Sequence, residues 1–292
     1  LIHKFKAAPV KLQDCDVRFL ASKEFLNKAD ERVFDDLTLI FNDRRGYVNF
    51  YMRGATNLGR RRKENQDLGA MFNTPFGVGF VLCDGMGGAD RGGFAALTAT
   101  QAFLKYLSHA QASKLKASQT PIIMREAIEV ANKTVHDHLR GRGGTTMVAV
   151  MIDQFDQAIC AHAGDSRIYR VSKEGKIFRT VDHTIRGFLE SKERRPCPDA
   201  ATSLVNFVGI MPSELFISVE VFPAREFQYF LGTTDGVHDC FSVSDQIADP
   251  NLTAMDLVNN AVEVSGHDNA SAIGLGVNVS MPSFEFPMII KS

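Results

Sequence analysis

With 292 residues, 45% of them hydrophobic and 23% charged, the chain can bury a large core, as one big domain or two small ones. Lys and Arg number 33 against 34 Asp and Glu, a net charge of -1, so no global field draws it to nucleic acid or to an anionic membrane. No apolar span reaches membrane length, no charged-then-apolar leader opens the sequence, and Cys15, Cys83, Cys160, Cys197 and Cys240 form neither a close-spaced metal motif nor an even disulfide set, which predicts a reducing, cytoplasmic setting.

In chain order, residues 1–36 are mixed and charged and carry no chemical motif. Leu26, Val33, Phe34 and Leu37 stand near helical spacing within Lys23–Leu37. Leu37–Phe41 and Tyr47–Met52 flank Asn42-Asp43-Arg44-Arg45-Gly46, which predicts a hairpin. Gly54 to Asp67, glycines and bases ahead of an acid, reads as a loop. The apolar run Phe76–Cys83 predicts a buried strand ending at Asp84, followed by Gly85, Gly87 and Gly88, where backbone can approach a ligand.

From Gly92 the period changes. Phe94, Leu97, Leu104 and Leu107 predict one helix, with a polar connection over Ser108–Thr120. Thr120-Pro121 predicts an N-cap with proline at the first helical position, Ile123, Ala127, Val130, Thr134 and His138 one face of a second helix, and Gly141 its end. His136 and His138 have no acidic neighbours at ligand spacing and read as surface or half-buried residues rather than ligands. Strands resume at Met147–Ile152, Ala158–Ala163, Ile168–Val171 and Ile177–Val181, with short connections that predict antiparallel hairpins. Residues 182–201, charged and holding Pro196 and Pro198, read as a functional loop or flap. Phe216–Phe222 and Phe227–Gly232 predict two more strands, Thr253 with Asp256 a capping-box-like helix start, and Ile273, Leu275, Val277 and Val279 a final strand. Two helices inserted between runs of strands, with no internal repeat, predict an α+β fold with sheet on sheet and helices outside.

An Asp-Gly pair alone is a common turn. Here the device recurs: Asp84-Gly85 after one apolar run, Thr234-Asp235-Gly236 after another, Asp268-Asn269 before a third, and Asp67 closing Glu64-Asn65-Gln66-Asp67. Four carboxylates at strand ends predict one cation site assembled from distant parts of the sheet. Oxygen ligands with only His267 nearby favour Mg²⁺ or Mn²⁺ over zinc. The neighbouring Arg60-Arg61-Arg62-Lys63 is either a solvated turn or a phosphate grip, and beside Asp67 the second reading leads to phosphate chemistry.

These motifs, with Gly144-Thr145-Thr146, Gly164-Asp165-Ser166-Arg167 and Asp182-His183-Thr184 in order, resemble the metal-dependent serine/threonine protein phosphatases of the 2C type, closest to their bacterial branch. The resemblance covers about Tyr47 to Val279 and implies a four-layer αββα sandwich, two antiparallel sheets flanked by helix pairs. It divides the chain into an N-terminal extension (1–46), a phosphatase domain (47–280) and a tail (281–292). By resemblance, Asp84 bridges two Mn²⁺ or Mg²⁺ ions, Gly85 lends a backbone carbonyl, Asp235 and Asp268 complete the second ion, and Asp165 serves a third, weaker one. Asp67 would act through metal-bound water and Arg62 would bind the substrate phosphate. The implied reaction is hydrolysis of phosphoserine or phosphothreonine by a metal-bridging water, with phosphoproteins made by a serine/threonine kinase as substrates and a monomer as the working form. The rival reading is a non-catalytic regulatory or binding domain on the same fold, whose mark would be lost metal carboxylates, and none of the four is lost. An interaction or autoinhibitory role for residues 1–46 is the third. Two departures from the family stand out: Gln66 where many relatives carry Glu, and Met86 where animal enzymes carry a histidine thought to protonate the leaving group.

Overall fold

The computed structural model describes residues 10–12, 15–20, 37–42, 49–86, 91–109, 116–193, 195, 199–247 and 254–277. Strands β1 (Val10–Leu12), β2 (Cys15–Leu20), β3 (Leu37–Asn42), β4 (Asn49–Asn57), β5 (Asp67–Thr74) and β6 (Gly77–Met86) precede helices α1 (Arg91–His109) and α2 (Thr120–Leu139). Then come β7 (Gly144–Thr145), β8 (Met147–Asp153), β9 (Gln157–Ala163), β10 (Arg167–Ser172) and β11 (Ile177–Arg179), followed by α3 (Ile185–Glu193), β12 (Ser218–Pro223) and β13 (Phe227–Thr233). Helices α4 (Asp235–His238), α5 (Val243–Gln246) and α6 (Ala254–Val264) lead to β14 (Ala270–Val277).

The strands form two antiparallel sheets, one ordered β1-β2-β5-β6-β8-β9-β12 with β7 on the end of β6, the other β11-β10-β13-β14-β4-β3. Alternation along β6 and β8 explains their continuous apolar runs. Val78, Phe80 and Leu82 of β6, with Val148, Val150 and Ile152 of β8, face the other sheet, while Val81, Cys83, Met147, Ala149 and Met151 face α1 and α2. A strand covered on both sides has no polar face to show. On the far side of the second sheet, Leu257, Val258 and Ala261 of α6 close over Ala55, Ala270 and Ala272. The layers are therefore α, β, β, α. The long pair α1 and α2 flanks one side, and α6 with the single turns α4 and α5 flanks the other.

Several local expectations shift. Residues 67–74 form a strand where the reading of the sequence passed from loop to strand at Phe76, and β6 runs past Asp84 to Met86. Asp84 is thus inside a strand, opposite Asp67. The buried stripe of α1 is Ala95, Ala96, Ala99, Phe103, Leu104 and Leu107, and Phe94 is exposed against His138. On α2 the buried face is Met124, Ala127, Ile128, Ala131 and Val135, so of the expected face only Ala127 is fully covered. Small alanines let these helices approach the sheet closely, and they give a weak periodicity signal. Thr120 is the first helical residue rather than the cap, because the preceding 3₁₀ turn, Ala117–Gln119, already has helical backbone.

The β3–β4 hairpin forms, its loop lying outside the described residues, and β4 extends to Asn57. The β10–β11 hairpin also forms, but β9 and β10 do not pair: the chain crosses between sheets through Gly164-Asp165-Ser166. The segment 182–201 holds helix α3. Within 1–46, β1 and β2 extend the edge of one sheet and β3 the edge of the other, so the backbone set apart as an extension is continuous with both sheets. The helical signal before Leu37, Thr253, Val279 and the tail 281–292 lie outside the described residues.

Candidate active site

The loop before β5, the end of β6, the β9–β10 crossover, the start of α4 and the approach to β14 meet around a cleft of about 420 Å³. Arg62, Asp84, Gly85, Asp165, Asp235 and Asp268 all line it, as do Gln66 and Met86. Asp67 is the exception. It lies behind the lining, 1% exposed.

Asp84 is fixed by its own backbone. Its N–H donates to Thr146 Oγ1 (3.1 Å), and its carbonyl accepts from the Thr146 N–H and the Thr145 hydroxyl, both at 2.8 Å. Thr146 Oγ1 in turn meets Ser166 Oγ at 2.6 Å, tying β6 to the crossover that carries Asp165. Asp67 Oδ2 accepts from Ser271 Oγ (2.7 Å) and Thr234 Oγ1 (2.9 Å), and Ser271 Oγ also meets Thr56 Oγ1 at 2.7 Å. Asp235 begins α4 immediately after β13, and Gly236 must be glycine: a Cβ there would lie 1.9 Å from the Asn269 carbonyl oxygen. Asn269 is the clasp of the other wall. Its Oδ1 accepts from the Gln66 N–H, while its Nδ2 donates to the Leu58 and Glu64 carbonyls. Asp268 Oδ1 accepts from the Asn269 N–H, and its Oδ2 accepts from Arg62 Nη2 at 2.5 Å.

Gathering these acids is electrostatically costly. Burial, then the charges of Asp235 and Asp67, hold the Asp84 carboxyl well above its usual range. Burial also pushes Asp67 up to about 7 against the Ser271 hydrogen bond, with Asp235 adding to the rise. Asp165 reaches about 7 through burial and Asp235, and Asp235 itself is raised by burial and Asp268. The hydrogen bond to Asp268 raises Arg62, with Asp84 and Asp235 further off adding to it. Asp67 Oδ1 and Asp235 Oδ1 are buried with no hydrogen-bond partner, which is expensive for carboxylate oxygens.

Cations would relieve this, and the donor set selects which. Among the described residues no three His, Cys, Asp or Glu side chains already close around one point. Each ion would take few side chains and complete its shell with carbonyl and water oxygens, the habit of Mg²⁺ and Mn²⁺ rather than zinc. The orphaned carboxylate oxygens and the four aspartates that line the cleft fit such ions.

The supporting residues Thr56 and Ser271 were not evident in the sequence. Ser271 did leave a signal, a hydroxyl in register with the inward-facing Ile273 and Leu275 of an otherwise apolar strand. Arg167 forms a two-pronged pair with Asp182 at 2.8 and 2.7 Å, so these two motif residues brace the crossover against the start of the flap.

The family model described as protein phosphatase 2C matches residues 53–267. A putative protein phosphatase 2C-type protein of Streptococcus pyogenes serotype M6 is 30% identical over 137 residues, 44% of this chain and 54% of that one. Protein phosphatase PhpP of Streptococcus pneumoniae serotype 2 is 26% identical over 246 residues, covering 76% of this chain and 96% of its own length. Among solved structures, the catalytic domain of the serine/threonine protein phosphatase PstP, in complex with two manganese ions, superposes with a TM-score of 0.64 at 20% identity, over 79% of this chain and 99% of that one.

Proposed function

The chain belongs to the protein phosphatase 2C family and is a protein serine/threonine phosphatase by that membership, and on this premise we propose that it hydrolyses phosphoserine and phosphothreonine in proteins with two Mn²⁺ or Mg²⁺ ions. The observation that carries the proposal is the convergence of Asp84, Asp235, Asp268 and Asp165 on one cleft with Arg62 at its mouth. When bound, such ions would supply a water that gives up its proton near neutral pH to become a nucleophile, and would neutralise charge on the phosphoryl oxygens.

The chain's own residues do the rest. Asp84, the Gly85 carbonyl, Asp235 and Asp268 would hold the pair of ions, and Asp165 would serve a third, weaker one. Asp67 lies behind the lining, its Oδ2 engaged by Ser271 and Thr234 and its buried Oδ1 without a hydrogen-bond partner. Arg62, half-exposed at the mouth, grips the substrate phosphate through its guanidinium. Met86 has no proton to give, which leaves protonation of the departing serine or threonine oxygen to the Asp165 corner. Substrates of this kind are products of a serine/threonine kinase.

The test is phosphate release from a phosphothreonine peptide by the full chain. Release should depend on added Mn²⁺ or Mg²⁺ and stop with a chelator. Undiminished turnover in chelator would remove the metal-dependent reading.

A further inference from the structure

Resting on that phosphatase reading, we propose that the cleft selects phosphopeptides with acidic residues close to the phosphorylated serine or threonine, recognised by Arg61 and Lys63. The loop that carries them is held in place. Asn269 Nδ2 binds its two ends, at the Leu58 and Glu64 carbonyls, and the Arg60 N–H donates to the Gly266 carbonyl at 2.6 Å. Gly59, at φ +78, lies so close under the Asp268 carbonyl that a Cβ would be 2.2 Å from its oxygen. Four consecutive cations are therefore presented at a fixed place beside the acidic floor.

Those four charges are not used alike. Arg62 turns to the floor, pairing with Asp268 and lying within reach of the Asp84 and Asp235 charges. Arg60, Arg61 and Lys63 are exposed, and among the described residues none of them has an ion-pair partner. The adjacent Glu64 accepts instead from Gln66 Nε2 at 3.4 Å. Lys63 also lines the cleft, as does the uncharged Leu204.

Arg61 and Lys63 stand on either side of Arg62 in the chain, so a peptide that delivers its phosphate to Arg62 lies beside the wall they form. Extended backbone advances about 3.3 Å per residue, so the long arms of Arg61 and Lys63 meet side chains within about three positions of the phosphoresidue. Aspartate or glutamate there complements the wall, and lysine is repelled by it. Without the wall, acidic flanks would meet only the carboxylates of the floor.

The experiment compares phosphothreonine peptides that differ only in acidic, neutral or lysine flanks, with Mn²⁺ present, alongside p-nitrophenyl phosphate, which has no flanks. The full chain should favour acidic over lysine flanks by about three- to tenfold in kcat/KM, and 0.5 M salt should shrink the preference. The double variant Arg61→Ala with Lys63→Ala should lose the preference, read as the ratio of each peptide's kcat/KM to that of p-nitrophenyl phosphate for the same protein, and Arg61→Glu with Lys63→Glu should invert it. Equal rates on all flanks, or a preference that survives the double variant, would overturn the inference alone. Failure to hydrolyse any of these substrates would overturn the phosphatase reading beneath it.

Discussion

Asp67→Asn should make the metal-free protein more stable while disabling it. The asparagine carbonyl can accept from Ser271 and Thr234 as Oδ2 does now, and the neutral amide removes the charge that Oδ1 shares without a hydrogen-bond partner. The native carboxyl keeps its proton up to about 7, whereas in the unfolded chain it loses it near the usual value of 3.8. Between those values the folded form binds more protons, so stability falls as pH rises from about 4 to about 7 and the whole cost is present above that window. Holding a buried charge without a partner costs on the order of several kcal/mol, and we expect about 2–4 kcal/mol of that to be recovered in the variant at pH 8, or roughly 4–10 °C in melting temperature. The assay is thermal unfolding in chelator at pH 4 and pH 8, then with Mn²⁺ added. The gain should be near zero at pH 4 and full at pH 8, and Mn²⁺ should stabilise the variant less than the wild type. A melting temperature unchanged or lowered at pH 8 without metal would show that the buried carboxyl is not a cost that cations offset.

Three further outcomes follow from the same geometry. Gly236→Ala forces a methyl against the Asn269 carbonyl, 1.9 Å from its ideal position, and should cost about 1–3 kcal/mol in denaturant unfolding. Arg62→Ala should raise KM more than it lowers kcat, since a phosphate grip acts on bound substrate and transition state alike; a change in kcat alone would contradict the docking role. Asp165→Ala should fold and hold two tight ions by calorimetry, yet lose kcat on phosphopeptides. That loss should be smaller on an aryl phosphate, whose good leaving group needs little protonation; equal losses on both would remove Asp165 from leaving-group chemistry.

Asp84, Asp235 and Asp268 were legible because each belongs to a short motif whose neighbours restrict the backbone: Gly85 and Gly236 after two of them, Asn269 after the third. The burial of Asp67 was not legible. Strand β5 is covered on both faces, so Asp67-Leu68-Gly69-Ala70 shows no alternation, and its position behind the cleft depends on Thr56, Thr234 and Ser271 from three other segments. The helix faces were misjudged for a related reason. Phe94 and Val130 dominate any apolar count, yet the packed stripes are built on Ala95, Ala99, Ala127 and Ala131. Asp165 reads locally as a hairpin turn, and only the sheet order shows the chain leaving one sheet for the other there. Edge pairing of β1, β2 and β3 is a long-range fact that a motif-free stretch does not announce.

Calorimetric titration of Mn²⁺ into the wild type and into Asp84→Asn tests the central claim most directly. Asp84 lies where β6, the crossover and α4 converge, and it is assigned to both ions. The wild type should bind two ions tightly, and the variant, with its backbone hydrogen bonds to Thr145 and Thr146 intact, should fold yet lose affinity at both positions together. Wild-type stoichiometry and affinity in Asp84→Asn would contradict a shared two-ion centre.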